Sequence, residues 1–173
     1  MSEPSSTEYH LGRLLVLLRP FAPAGGAWLA GLTKLAKLDF LLRYPAMTDR
    51  LLQIIGGSWP LGAEPLEAEE LAVESRMIRY KYGPWDDRYY PLLGALVGRG
   101  LIEIDGTKSA MRMRLTELGG QAAAELASSE EWSRVALRAE LLKQSFNLSG
   151  NRLKEMIYEN LPDVVDRPHR TVI

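Results

Sequence analysis

Cysteine is absent from the 173 residues. That excludes a disulfide framework and any thiolate-held metal, and it suits a reducing compartment. Histidine is nearly as scarce. His10 and His169 lie far apart in the chain, and neither has an acid or a second ligand nearby in sequence. A metal site needs more ligands than that, and a lone histidine is usually structural or solvent-facing. No apolar run approaches the roughly 20 residues that span a bilayer. The opening MSEPSSTEYH lacks the basic-then-apolar order of a secretory leader. The expectation is a soluble, cytoplasmic chain.

Catalytic signatures are missing too. GAWLAGLT, Gly26–Thr33, imitates the spacing of a phosphate-binding loop, but Leu32 stands where that loop needs lysine and no apolar strand precedes it. No nucleophile elbow or acid–base constellation occurs. Asp86 and Asp87 are adjacent, so they point in different directions and suit helix capping better than a catalytic carboxylate pair. The final TVI has the form of a C-terminal capture ligand, a match that short tails make often by chance. The expectation is a protein that is not an enzyme and has no cofactor or metal site.

What the chain does have is an ordinary globular composition, 46% apolar and 25% charged. A chain of this size can bury about 68–70% of its unfolded surface, so a real core is possible. The formal net charge of −1 hides a local pattern. Glu64, Glu67, Glu69, Glu70 and Glu74 follow one another with no basic residue between them. Residues 75–114 then carry eight basic groups against four acidic ones. Such a contrast can be a pair of solvated faces, an internal pairing, or a surface that meets a polyanion.

Ser5 and Glu8 are spaced as a capping box, opening a helix with Leu11, Leu14, Leu15 and Leu18 on one face and Pro20 at its end. A second helix is expected over Ala27–Arg43, with Trp28, Leu32, Leu35, Leu38 and Leu42 on one stripe. Pro45 opens a third, in which Leu51, Ile54 and Ile55 face inward before Gly56-Gly57. A loop or frayed helix follows. MIRYKY alternates as a strand does, and Gly83-Pro84 reads as a turn. Asp86 or Asp87 can cap a helix running to about Arg99, with Pro91 tolerated near its first turn. LIEID and MRMRLT form a β-hairpin across the loop Gly106–Ala110. Helices are expected over Glu117–Ala127, Glu130–Phe146 and Ser149–Glu159, before an irregular tail.

This order makes the fold mainly α with a small β-hairpin wing, an α+β class: a winged-helix domain over 26–128. An N-terminal helix and linker, 1–25, precede it, and a helical extension, 129–173, follows. In such domains the helix before the hairpin is the recognition helix and the hairpin is the wing. Leu92, Leu93, Leu96 and Val97 form that helix's buried stripe. Arg88, Pro91, Gly94, Ala95, Gly98 and Arg99 make the opposite face. Its middle offers no side chain able to read base edges. A smooth glycine and alanine surface lets another backbone approach, either a partner protein's or the chain's own C-terminal helices. The wing differs. Lys108, Arg112 and Arg114, with Arg79 and Lys81, can touch phosphates without reading sequence. Five such contacts would give a salt slope of about −4.5. Leu153, Met156, Ile157 and Leu161 make a further apolar stripe, able to fold back or to dock on a partner.

Three phrases together resemble a known family: KLAKLDFLLRYP (Lys34–Pro45), ESRMIRYKYGPWDDRYYPLLGALVGRGLIEIDG (Glu74–Gly106) and LSGNRLKEMIYENLPDVV (Leu148–Val165). They are similar to the middle component of bacterial ABC-three-component systems, which include Lamassu-type anti-phage defence. The resemblance covers about two-thirds of the chain. It implies a non-catalytic winged-helix subunit that joins an SMC- or Rad50-like ABC ATPase to an effector, often a nuclease. The two faces read above make Arg88, Gly94, Ala95, Gly98, Arg99, Leu153, Met156 and Ile157 the candidate partner residues, with any DNA contact non-specific and mainly through the complex. The alternative is a winged-helix transcription regulator, against which the bare face of Arg88–Arg99 speaks.

Overall fold

The computed structural model describes residues 6–71, 78–80, 83–106 and 110–161. In chain order the elements are α1 (Thr7–Phe21), β1 (Leu29–Ala30), α2 (Leu32–Arg43), α3 (Pro45–Ile55), α4 (Glu67–Leu71), β2 (Ile78–Tyr80), β3 (Gly83–Trp85), α5 (Tyr89–Gly98), β4 (Ile102–Asp105), β5 (Arg112–Leu115), α6 (Glu117–Ser128), α7 (Ser133–Ser145) and α8 (Gly150–Asn160). The class is α+β, mostly helical, with one three-stranded antiparallel sheet of order β1-β5-β4 and a separate β2-β3 pair. None of the described helices is long and apolar enough to cross a membrane. The chain forms two compact units, residues 1–32 with 87–140, and residues 33–86 with 141–173.

In the first unit α1 is capped by Ser6, one residue later than expected, whose hydroxyl accepts the Tyr9 amide at 3.1 Å. Pro20 lies inside the last turn, and the helix continues to Phe21. His10 to Leu18 are buried without interruption, the mark of a central helix rather than a one-faced one. α1 packs on α6, α5 and β5. Gly12 lets Trp132 come close: a Cβ there would stand 3.0 Å from the indole.

The expected helix over Ala27–Arg43 starts late. Leu29 and Ala30 instead form β1, paired with Met113 and Arg112 of β5. Gly31, at φ +95°, turns the chain, and its N–H donates to the Met111 carbonyl at 2.8 Å. Leucine and alanine suit a helix, so local preference lost to a long-range pairing. The hairpin has the expected form. Ile102 faces Leu115 and Ile104 faces Met113, with Ile102, Met113 and Leu115 buried and Ile104 partly exposed.

The junction between α5, β4 and α6 fixes this unit. Past the end of α5, Gly100 takes φ +72°, and the Gly100 and Leu101 amides donate to the Val97 and Leu96 carbonyls, a Schellman stop. Thr116 then binds the same turn twice. Its N–H donates to the Leu101 carbonyl at 3.1 Å and its hydroxyl to the Gly100 carbonyl at 2.6 Å. That hydroxyl also accepts the Gly119 amide, capping α6. Gly119 lies directly on the Leu101 backbone, where a Cβ would sit 1.8 Å from the carbonyl oxygen.

In the second unit Thr48, Leu51 and Leu52 of α3 face inward. Ile54 is 59% exposed and Ile55 is exposed too, contrary to the expected stripe, because the buried face runs through Leu52 instead. α3 ends at Gly56, φ +72°, as Gly56-Gly57 predicts. Gly83 and Pro84 lie in β3, opposite Tyr80 and Arg79, rather than in a turn. The N-cap position of α5 falls to Arg88, which makes no side-chain capping bond, and not to Asp86 or Asp87. Asp86 accepts from the Arg43 guanidinium at 2.8 Å, with Asp39 3.6 Å from the same nitrogen, all three buried. Lys37 is 3% exposed, and among the described residues no ion pair joins it to a carboxylate. Burial, reinforced by repulsion from Lys154, pushes its ammonium from 10.5 down to about 8.

Two outcomes follow. Gly119→Ala should destabilise the protein by about 3 kcal/mol or more in urea denaturation, since a backbone carbonyl must move. Gly120→Ala, where a Cβ would meet only the Ala24 side chain at 3.6 Å, should be tolerated. For Lys37, the unfolded chain binds the extra proton between about 8 and 10.5, so its contribution to stability improves as pH rises through that window. Lys37→Met should therefore be more stable than the parent below pH about 8, an advantage that fades toward 10.5. A stability difference independent of pH across that window would refute this origin.

Candidate functional site

α5 presents two unlike faces. Tyr89, Leu92, Leu93 and Leu96 are buried. Tyr90 is 67% exposed and Val97 43%, so Val97 belongs to the outer face and not to the buried stripe expected of it. At 100° per residue, Tyr90, Gly94 and Val97 share that outer side with Pro91 and Gly98. All five are exposed, and Ala95 is half-buried between the faces. Pro91 occupies the third helical position, where its missing N–H breaks no helical bond. A Cβ on Gly94 or Gly98 would meet nothing within 4 Å. Within the first unit, no other described helix packs against these glycines.

Two arginines flank the strip, and the fold holds both. At the N-terminal end, the Arg88 guanidinium lies 2.7 Å from His10 Nε2, while Arg13 approaches Nδ1 of the same ring. A neutral imidazole has one acceptor nitrogen, so only one of them can donate to it. His10, buried, is thus a structural residue of α1. At the C-terminal end Arg99 grips Glu8 with two bonds, of 3.1 and 3.0 Å. That pairing holds the Glu8 carboxyl below its ordinary range and the Arg99 guanidinium above its own. The Glu8–Arg99 clamp ties α1 to the end of α5.

The hairpin carries its own charge compensation. Arg112 faces Asp105 and Arg114 faces Glu103 in register, and each pair forms a salt bridge. Both guanidiniums lie over the Trp28 ring, 4.8 and 4.1 Å from its centroid. Arg114 also donates to the Gly26 carbonyl at 3.2 Å. Two of the three arginines expected to touch phosphate, Arg112 and Arg114, are therefore brought together, but each already holds a carboxylate. Lys81 and Lys108 lie outside the described residues, and Arg79, on β2, belongs to the other unit.

The C-terminal part of the expected partner face divides. Leu153 and Ile157 are 0% exposed, packed inside their own unit, so they offer no surface to a partner. Met156 is half-buried. Among the described residues, no group of three or more His, Asp or Glu gathers as a metal site would.

Trp28, Tyr90 and Glu8 were missed. Tyr90 was legible, because it lies four residues before Gly94 on a helix of known phase. Trp28 was not: its role depends on β1, a two-residue strand with no local signal.

Open space at Gly94 has an energetic consequence. Gly94→Ala should raise stability by about 1 kcal/mol in chemical denaturation, since alanine suits a helix interior better and meets no obstacle. A destabilised variant would show that the space is filled. No protein-family model, curated protein or solved structure matches this chain, so its own geometry carries the functional argument.

Proposed function

We propose that this chain is a non-catalytic adaptor on a winged-helix plan, which offers the outer face of α5 to a partner protein. The supporting observation is the strip of Tyr90, Gly94, Val97 and Gly98, apolar, exposed and open to a close approach. Contiguous apolar exposure marks interaction surfaces. Tyrosine is a frequent energetic anchor of such surfaces, and glycines let a second backbone come near. The partner implied by the family resemblance is an SMC- or Rad50-like ABC ATPase, with an effector as third member. The winged-helix part of this reading is supported by the order of α5 followed by the β4–β5 hairpin, with β1 paired to β5.

DNA is a secondary partner in this reading. Base recognition needs Arg, Asn or Gln along the helix face, and the strip has none. A phosphate approaching Arg112 or Arg114 must compete with Asp105 or Glu103, which leaves weak, salt-dependent contact made mainly by the assembled complex.

Co-purification with the product of a neighbouring ATPase gene tests the adaptor. Gly94→Glu and Gly98→Glu should keep the parent's circular dichroism and lose the ATPase. If both variants assemble as the parent does, the face is not the interface. A two-fold footprint bound at nanomolar concentration by the isolated chain would instead establish a transcription regulator. The hairpin is tested by the double variant Glu103→Gln, Asp105→Asn, which should tighten duplex binding by the complex and steepen its salt dependence. An unchanged affinity would remove the hairpin from the DNA contact.

A further inference from the structure

We propose that the arm made by the end of α3, the loop after it and the start of α4 is a docking surface for a basic amphipathic helix of a partner protein. The surface lies wholly in the second unit and is separate from the α5 strip. It goes beyond the adaptor reading and stands without it.

Exposed apolar side chains are unevenly spread in the second unit. Among the described residues, its large exposed hydrophobics are Ile54, Ile55, Leu61 and Leu66, all within one short stretch. A single exposed leucine is ordinary on any protein, but a gathering marks an interaction surface. The four belong to one fold-back. The Gly57 amide donates to the Leu52 carbonyl at 2.9 Å, the Trp59 indole N–H donates to Asp49 at 2.7 Å, and α4 packs on α3.

Leu61 is 92% exposed, yet the backbone that carries it is fixed. Residues 60–63 form a turn closed by the Ala63 amide and the Pro60 carbonyl at 3.0 Å, with Gly62 at φ +88° in its third place. That is a type II turn, and it puts Leu61 at the tip. The Gly62 amide donates to the Glu64 carboxylate at 2.8 Å, and Ala63, just past the tip, is fully buried. A protruding leucine fits between the side chains of a facing helix as a knob fits a hole. Presented on a turn that is already ordered, it loses little freedom on binding.

Charge selects the occupant. No basic residue stands between Arg50 and Arg76. Glu64 and Glu67 are exposed on either side of Leu66, and Glu69, half-buried, accepts the Leu66 amide at 2.7 Å. Arg50, one turn before Ile54, is half-buried and already engaged. The arm is therefore apolar with an acidic rim. A second copy would set the same acids against each other. A membrane with anionic headgroups would repel them. A helix with an apolar stripe flanked by lysine or arginine matches the leucines and the acids together.

The test uses the full chain in amide-resolved NMR. The probe is an amphipathic helical peptide of leucine and lysine, and its control has glutamate in place of every lysine. Backbone amides over 54–66 should shift and saturate with the lysine peptide, less so as salt is raised. The glutamate peptide should leave them in place, as should vesicles of phosphatidylcholine and phosphatidylserine. Leu61→Ser should weaken the lysine peptide's binding by about tenfold or more. Because that side chain is exposed, the variant should keep the parent's melting temperature. The double variant Glu64→Gln, Glu67→Gln should also weaken binding and flatten its salt dependence, while glutamine at 64 keeps an acceptor for the Gly62 amide. The proposal is overturned if the lysine peptide does not move these amides, if the glutamate peptide or the vesicles move them as far, or if Leu61→Ser binds like the parent. Shifts that grow with protein concentration alone would assign the arm to a second copy and overturn it as well.

Discussion

Gly119 rests on the Leu101 carbonyl, and the geometry of the first unit depends on that contact. No residue with a Cβ can take the place of Gly119 without moving the backbone. Thr116 fastens the same turn from the other side, through its amide and its hydroxyl. The end of α5, the start of β4 and the start of α6 are thereby held within one small volume. The outer face of α5 and the Arg112–Arg114 hairpin face inherit their positions from it. A proposed binding surface on a helix gains precision when the helix end is fixed by several bonds rather than by packing alone.

Buried charge is handled in contrasting ways. Arg43 is enclosed with Asp39 and Asp86, so the cation keeps counter-charges within the unit. A buried arginine paired in this way is retained because removing either partner strands the other. Lys37, six residues earlier in the same helix, is joined to no carboxylate by an ion pair among the described residues. The comparison gives Lys37 its interest: one helix shows both a solved and an unsolved electrostatic problem. The hairpin offers a third arrangement, in which Arg112 and Arg114 stack on Trp28 and bond across the strands. Arginine suits that role because its flat cation covers an aromatic face while its edge holds a carboxylate.

The α5 strip sets stability against use. Glycine inside an exposed helix lowers stability relative to alanine, and nothing described in the fold requires it at Gly94 or Gly98. A partner's close approach, as proposed, is one physical reason for a surface without side chains. Tyr90, exposed beside those glycines, adds apolar area to the strip.

Helix starts and stops were legible in the sequence wherever one residue type sets them locally. Pro45 as opener and Gly56 as a stop each act through a backbone angle within a few residues. The hairpin was legible for the same reason, since alternation and a short polar loop fix its register. Tertiary structure alone decided the rest. β1 exists because β5 is beside it, although Leu29 and Ala30 prefer a helix. Asp86 became the counter-charge of Arg43 instead of a cap, and Leu153 and Ile157 became core instead of surface. In each case the deciding partner lies far away in the chain, and pairing, desolvation and burial between distant segments outweigh the few tenths of a kcal/mol by which local preference speaks.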